Sequence, residues 1–423
     1  MLFAQARCSL PLTYDRIAEE IRSLSRFQVA QRTGFTKILK KYKRWTKDRE
    51  FSHVFKENVS SRPDSLFQLD LSFLLDQYID VLGALRAIFD EDGTSSVEPE
   101  NDKAKSVAAR ISRTLEQGDG LDFDLALTTI PLGSHGNRAT YWIHPDNFVE
   151  AQVLLLQQMR LYAGGAGASS RNRSTRATPA RRQSPSVNTD IHFGAEDDVG
   201  LLVLDHAEAF AMKQNASTIG STEATKGNVV FKAASSVHCV SSGEAAVVVR
   251  TDTTTQQAGI KTAKSRVESV QSFLDEGSTS SGDDKGDSTV VRQWLIEHQE
   301  VKPIAGVCSK RTRFVGLHNN AAGGIWATLD RDVYMKDSMS KDITSADWPS
   351  AARSNALRFP HAILEVRREG TQAASLTQAL DRSHLVRQNF HSQGYQADIY
   401  RLSVFAAFLS KHMPFGRVVN LAL

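Results

Sequence analysis

The sequence is poor in cysteine, and the three residues it has, Cys8, Cys239 and Cys308, stand apart with no Cys-x-x-Cys spacing. That pattern excludes a zinc ribbon and a disulfide-framed secreted fold, and it predicts a reducing compartment. Long apolar runs are also missing. None nears the roughly 18–20 residues that a membrane helix needs, so the chain reads as soluble and cytoplasmic with no transmembrane segment. The opening "MLFAQARCSLPLTYDRI" has a short apolar patch but no small-residue cleavage site behind it, so no secretory signal is indicated. No internal repeat is apparent. A dominant charge is lacking too: a net +3 over 423 residues says little about partners.

What is present is globular in composition, 41% hydrophobic with 23% charged, over a length that suggests two or three domains. The charge is unevenly spread. Residues 26–58 carry ten Lys and Arg against three acids, residues 171–182 carry five Arg and no acid, and residues 275–287 carry five acids and one Lys. Residues 12–47 read as helix broken near Gly34, and a second long helix is expected over 62–89, started by Pro63, Asp64 and Ser65. A linker follows at 91–119. From about residue 120 the texture changes to short β-branched runs: "LALTTIPL", "ATYWIHP", "VGLLVLD", "NVVFKA", "AAVVVRT", "RTRFVGL", "IWATLD" and "HAILEVRR". A helix capped by Asp146 follows the second of these, and "YQADIYRLSVFAAFLSKHM" closes the chain as a helix. Many strands with few helices between them predict an antiparallel sheet or barrel. Residues 164–190 and 275–291 would be disordered inserts on it. "RRQSP" in the first insert is a candidate phosphorylation site, where added charge would be felt by the neighbouring arginines.

The stretch "GFTKILKKYKRW" (34–45) spaces Lys37, Lys40, Lys41 and Arg44 along one helical face, with Phe35, Ile38, Leu39 and Tyr42 on another. Like charges one turn apart cost about 0.2–0.5 kcal/mol per pair, which an anionic ligand would offset. A solvated basic face or a nucleic-acid-binding helix would show the same spacing. The motif, with "SLSRFQVAQRTGF" before it, resembles the signature helix of SPX domains, which bind inositol polyphosphates and pyrophosphates. The resemblance implies that those four cations form such a site, on a domain lacking its N-terminal hairpin.

The rest resembles the vacuolar transporter chaperone (VTC) family, whose triphosphate-tunnel domain makes polyphosphate from ATP. "YWIHPDN", "VLDHAEAF", "VVVRTDTTTQQAGIKTAKSR", "RTRF", "ATLD", "FPHAILEV" and "SHLV" follow one another in the family's order. A polyphosphate tunnel needs inward cations, because each phosphate adds about one negative charge in a confined space. By the resemblance, Lys232, Arg250, Lys261, Lys264, Arg266, Lys336 and Arg367 would line the tunnel, and Glu365 would hold Mn or Mg if activity survives. Other basic positions are lost: Thr140, Val230 and Trp326 stand where the family has cations, and only His391 stands near those after "SHLV". Trp326 would also fill space that a phosphate chain must cross.

The expected architecture is α+β: a partial SPX helical segment (1–90), a linker (91–119), then an antiparallel triphosphate-tunnel β-barrel with flanking helices (120–415). The expected function is a non-catalytic accessory or regulatory protein of the VTC polyphosphate polymerase complex, sensing phosphate status through inositol polyphosphates. The family includes non-catalytic subunits, so a pseudoenzyme has precedent. Implied partners are inositol polyphosphates or pyrophosphates, polyphosphate and other VTC-complex subunits, with any contact to the vacuolar membrane made through those partners. Two alternatives stay open: an active metal-dependent polyphosphate polymerase or triphosphatase, and a basic nucleic-acid-binding protein working through 26–58 and 171–182.

Overall fold

The computed structural model describes residues 2–46, 50–90 apart from 64 and 66, 107–128, 136–162, 196–206, 235–250, 259–276, 287–369 apart from 321–322, 337–338 and 346, 374–383 and 386–388. The expected strand "NVVFKA", the closing helix, the Arg-rich insert, Val230, Lys232 and His391 lie outside these residues.

Helix α1 (Leu2–Thr46) runs unbroken through Gly34. Nothing lies within 4 Å of where a Cβ would project from that glycine, so it marks no break and no tight contact. Helix α2 (Glu50–Phe55) folds back along its end, with Phe35 stacked on Phe55 at 6.0 Å and Tyr42 against Phe51 at 4.7 Å. The second long helix, α3 (Ser72–Asp90), starts later than expected. The described residues between Ser61 and Leu71 form turns and irregular chain instead, and Asp70 accepts a hydrogen bond from the Ser72 amide at 2.8 Å. Within the expected linker, residues 107–117 form α4 (Val107–Gln117).

"LALT" is helical rather than extended, the end of α5 (Gly120–Thr128). Asp119 caps α5 by accepting from the Asp122 amide at 2.9 Å. A short apolar run fits a buried strand or a buried helix equally well, and this cap decides for the helix. After β1 (Gly136–Ile143), His144 rather than Asp146 makes the side-chain cap of a short 3₁₀ turn, with Pro145 in its first turn. Helix α6 (Phe148–Gln158) and strand β2 (Met159–Leu161) follow.

The remaining elements are β3 (Glu196–Asp205), β4 (Ser235–Val240), β5 (Glu244–Arg250), β6 (Ile260–Arg266), α7 (Val270–Glu276), α8 (Asp287–Glu297), β7 (Lys302–Gly316), β8 (Gly324–Lys336), α9 (Ser340–Ile343), α10 (Trp348–Arg353), β9 (Leu357–Arg358), β10 (Ala362–Glu369), α11 (Ala374–Arg382) and β11 (Val386–Gln388). Helix α8 begins inside the stretch expected to be an insert.

The strands form one 11-stranded sheet in the order β11-β1-β10-β8-β7-β3-β4-β5-β6, with β2 and β9 attached to β7 and β8. Every paired register is antiparallel. Among the described residues β6 and β11 do not pair, so the expected closed barrel is corrected to an open sheet. The sheet nonetheless curls, because residues from β3, β4, β7, β8 and β10 line one cavity with α5. On the outer face, α1, α3 and α6 pack over β1, β7, β8 and β10 around Leu75, Leu155, Phe314 and Leu329. Over the other half of that face, α7 to α10 cover β3–β7 around Val291, Trp294, Met339 and Trp348. Close packing there requires a glycine: a Cβ on Gly200 would sit 2.5 Å from Cys239 Sγ and 2.9 Å from the Trp348 ring. Helices α4 and α5 occupy the inner face, against Val315 and Trp326 on one side and Val199, Ala246 and Val248 on the other.

Candidate functional site

Strand alternation sets which side chains face inward. Along β7 these are Ser309, Arg311, Arg313 and Val315, and across from them on β8 lie Asp330, Thr328 and Trp326. One strand further, Glu365 pairs with Thr328 and Arg367 with Trp326. Thr140 of β1 stands opposite Glu365, so the position expected to have lost its cation is on the right face. His238 of β4 reaches the same cavity.

The buried inner-face arginines are held by the protein's own carboxylates. Arg311 grips Asp330 with two hydrogen bonds of 2.7 Å and lies 3.2 Å from Asp124. Arg313 donates to both Asp124 oxygens, at 3.0 and 2.8 Å, and to Asp197 at 3.1 Å. Arg367 donates to Glu365 and to the carbonyl of Leu127 in α5. Three guanidinium groups thus meet four carboxylates, so this network carries no spare positive charge. Burial alone would raise the Asp124 carboxyl, but Arg311 and Arg313 overcome it and hold the group below its ordinary value. Burial likewise works against Arg311, and Asp124 and Asp330 reverse it, so both partners stay charged.

Space is as short as charge. The cavity between α5 and the sheet measures about 70 Å³, room for two or three waters at roughly 30 Å³ each and far below the roughly 300 Å³ of a small ligand pocket. Trp326 is fully buried among Ala108, Ile111, Phe123, Leu127 and Val315. Helix α5 is no lid either. Withdrawing it would expose Leu121, Phe123, Leu125 and Leu127, at about 1.5–3 kcal/mol each, a total comparable with the entire stability of a typical domain.

The expected tunnel residues divide. Lys264 and Arg266 face inward with Ala246 and Glu244 as their cross-strand partners, and Lys264 pairs with Asp122 of α5. Arg367 and Glu365 face inward and bind one another. Two expectations need correction. Lys261 sits opposite Val249 on the outer face and pairs with Asp287 at 2.7 Å, because it is one residue out of phase with Thr262 and Lys264. Lys336 lies opposite Gly306 on the outer face and pairs with Asp342 at 2.8 Å. The cause is a bulge: between the pairs Lys310↔Arg331 and Cys308↔Tyr334, β8 spends one more residue than β7, with Asp332 at φ 48°. Arg250 ends β5 opposite Ile260, and its side chain lies outside the described residues, as does Lys232. Lys37, Lys40, Lys41 and Arg44 are exposed on α1, away from this network.

A divalent cation does not fit these groups as arranged. Glu365 is nearly buried and engaged by Arg367, and among the described residues no three His, Cys, Asp or Glu side chains converge to hold a metal. Sequence reasoning missed Asp124, Asp197, His238, Arg311, Arg313 and Asp330. The two-residue alternation in "RTRF" was the available signal for the arginines; nothing local marks their partners.

At the open end of the face, Glu244 and Asp119 share a hydrogen bond beside Lys264. That bond, then burial and the charge of Asp119, raise the Glu244 carboxyl above its ordinary 4.5. A raised carboxyl stabilises the fold fully below its unfolded value and loses that contribution as pH rises through the folded one. Glu244→Gln keeps a donor at every pH. The variant is therefore expected to match the wild type near pH 4 and to exceed its stability increasingly toward neutrality, as checked by denaturation at a series of pH values. A difference independent of pH would contradict the shared proton.

The fold and this face define a mixed helix and antiparallel-sheet protein with a filled, basic-and-acidic inner surface. Residues 244–395, from β5 to beyond β11, match the family model described as the VTC domain. No SPX match accompanies it. Among curated proteins, no relative matches the chain. No described helix is long and apolar enough to cross a membrane.

Proposed function

We propose that this chain is a non-catalytic accessory protein related to the polyphosphate polymerase family, to which its VTC domain points. The observation that carries the reading is the occupancy of the inner face: Asp124 takes up Arg311 and Arg313, and α5 with Trp326 fills the path a phosphate chain would follow. A phosphoryl-transfer site needs unpaired cations and a metal-holding carboxylate aimed at open space. Here the buried arginines are spent on internal anions and Glu365 on Arg367. The regulatory side of the role falls to the exposed stripe Lys37, Lys40, Lys41 and Arg44. None of these four makes an ion pair among the described residues, and a phosphorylated anion such as an inositol polyphosphate or pyrophosphate would neutralise several together. Other subunits of a polyphosphate-making complex are the natural partners of such a protein.

The expected result with purified chain, ATP and Mn²⁺ is no polyphosphate above background. Synthesis that Glu365→Gln abolishes would establish the alternative, a metal-dependent polymerase.

A further inference from the structure

The second half of α1 carries more than cations. Ile38, Lys41 and Trp45 fall on one helical stripe at spacings of three, four and seven residues, with Lys37 one turn before Lys41. Ile38 is 63% exposed and Trp45 72% exposed, with Lys41 Nζ 4.5 Å over the Trp45 ring. Lys40 and Arg44 flank the stripe, and residues 34–46 include five Lys and Arg and no acid. The neighbouring arc of the helix is already used, since Phe35 and Tyr42 hold α2 through Phe51 and Phe55. Beyond it Phe51 and Val54 of α2 are themselves about 43–44% exposed. The acids of α2 and the turn after it are Glu50 and Glu57, and Glu57 is engaged by His53 at 3.4 Å.

A soluble anion would use the lysines and leave Ile38 and Trp45 without purpose. A bilayer surface uses both: cations meet the anionic headgroups while the bulky apolar side chains enter the interfacial layer, with lysine stems lying along it. We propose that this end of α1 is a peripheral membrane-binding surface for anionic phospholipid. The proposal deepens the reading of the stripe as an anion site and rests on it; it does not depend on the state of the VTC domain.

The test is co-sedimentation of the full chain with phosphatidylcholine vesicles containing about a third phosphatidylserine, and with vesicles of phosphatidylcholine alone. Binding is expected only to the anionic vesicles, weakening as salt rises. Lys37→Glu with Lys41→Glu should reduce it about 30-fold or more, since each lysine near such a surface contributes roughly a factor of five. Trp45 emission should shift to the blue on binding, and Trp45→Phe should abolish that shift while circular dichroism stays unchanged. All three substituted positions are exposed, so misfolding is not expected to intervene. Binding of folded protein that ignores phosphatidylserine or survives the double substitution would overturn the proposal. Tight binding of inositol hexakisphosphate without vesicle binding would also overturn it while sparing the anion site; binding to neither would remove both.

Discussion

Asp124→Ala is expected to destabilise the protein by about 3 kcal/mol, the lower end of the cost of breaking a buried ion pair from one side, since Arg311 and Arg313 each retain a second carboxylate. Arg313 gives Asp124 two of its three hydrogen bonds and Arg311 approaches it to 3.2 Å, so each loses a partner and keeps one, Asp197 and Asp330. Chemical denaturation should read the loss directly. The accompanying control separates structure from ligand binding. If the network exists to fill the interior, replacing its members together, as Asp124→Leu with Arg313→Met and Asp197→Ala, should recover much of the loss, because buried ion networks are often replaceable by apolar groups of similar volume. A substitution at Asp124 that instead leaves stability unchanged would mean that the arginines have access to solvent, and the filled-face account would fail.

Trp326→Arg, which places in β8 the basic residue that the resemblance to the VTC family implies there, is the second large effect. Loss of the fully buried indole alone costs about 3–5 kcal/mol. The new guanidinium would sit among Ala108, Ile111, Phe123 and Val315, directly across from the like charge of Arg367, which already engages Glu365. The variant is expected to unfold at much lower denaturant and to gain no synthesis activity. A stable Trp326→Arg variant that makes polyphosphate would overturn both the filled-face account and the non-catalytic reading.

Much of the sheet was readable because its strands alternate: "RTRF", "ATLD" and "HAILEV" each place one set of side chains inward and the other in the outer core. The resemblance led to the expectation that Thr140, Lys264, Arg266, Glu365, Arg367 and Trp326 stand at inward positions, and in the structure they share one face of the sheet. It failed at Lys336, because a single extra residue at the β8 bulge reverses the phase and leaves no mark in the local sequence. It failed at Lys261 because matching a motif does not fix which residues of the run point inward. Helix α5 was misread since "LALTTIPL" has strand composition, while the helix signal lay upstream in Asp119. The pairing of Asp124 with Arg313 joins residues 189 apart, a distance over which a single sequence offers no physical cue. Yet that pairing, rather than the missing cations, supplies the stronger reason to read the site as inactive.

The most direct measurement is calorimetric titration with inorganic tripolyphosphate, supported by thermal unfolding in its presence. It is best made on the chain carrying Lys37→Glu and Lys41→Glu, so that the exposed stripe on α1 contributes nothing. A ligand present at a hundredfold excess over its Kd would add about 2.7 kcal/mol to stability. A filled and self-neutralised inner face predicts no saturable heat and no rise in Tm at millimolar tripolyphosphate. Saturable binding with a matching rise in Tm, lost on Lys264→Ala with Arg266→Ala, would show that the inner face opens to polyphosphate and would contradict the account.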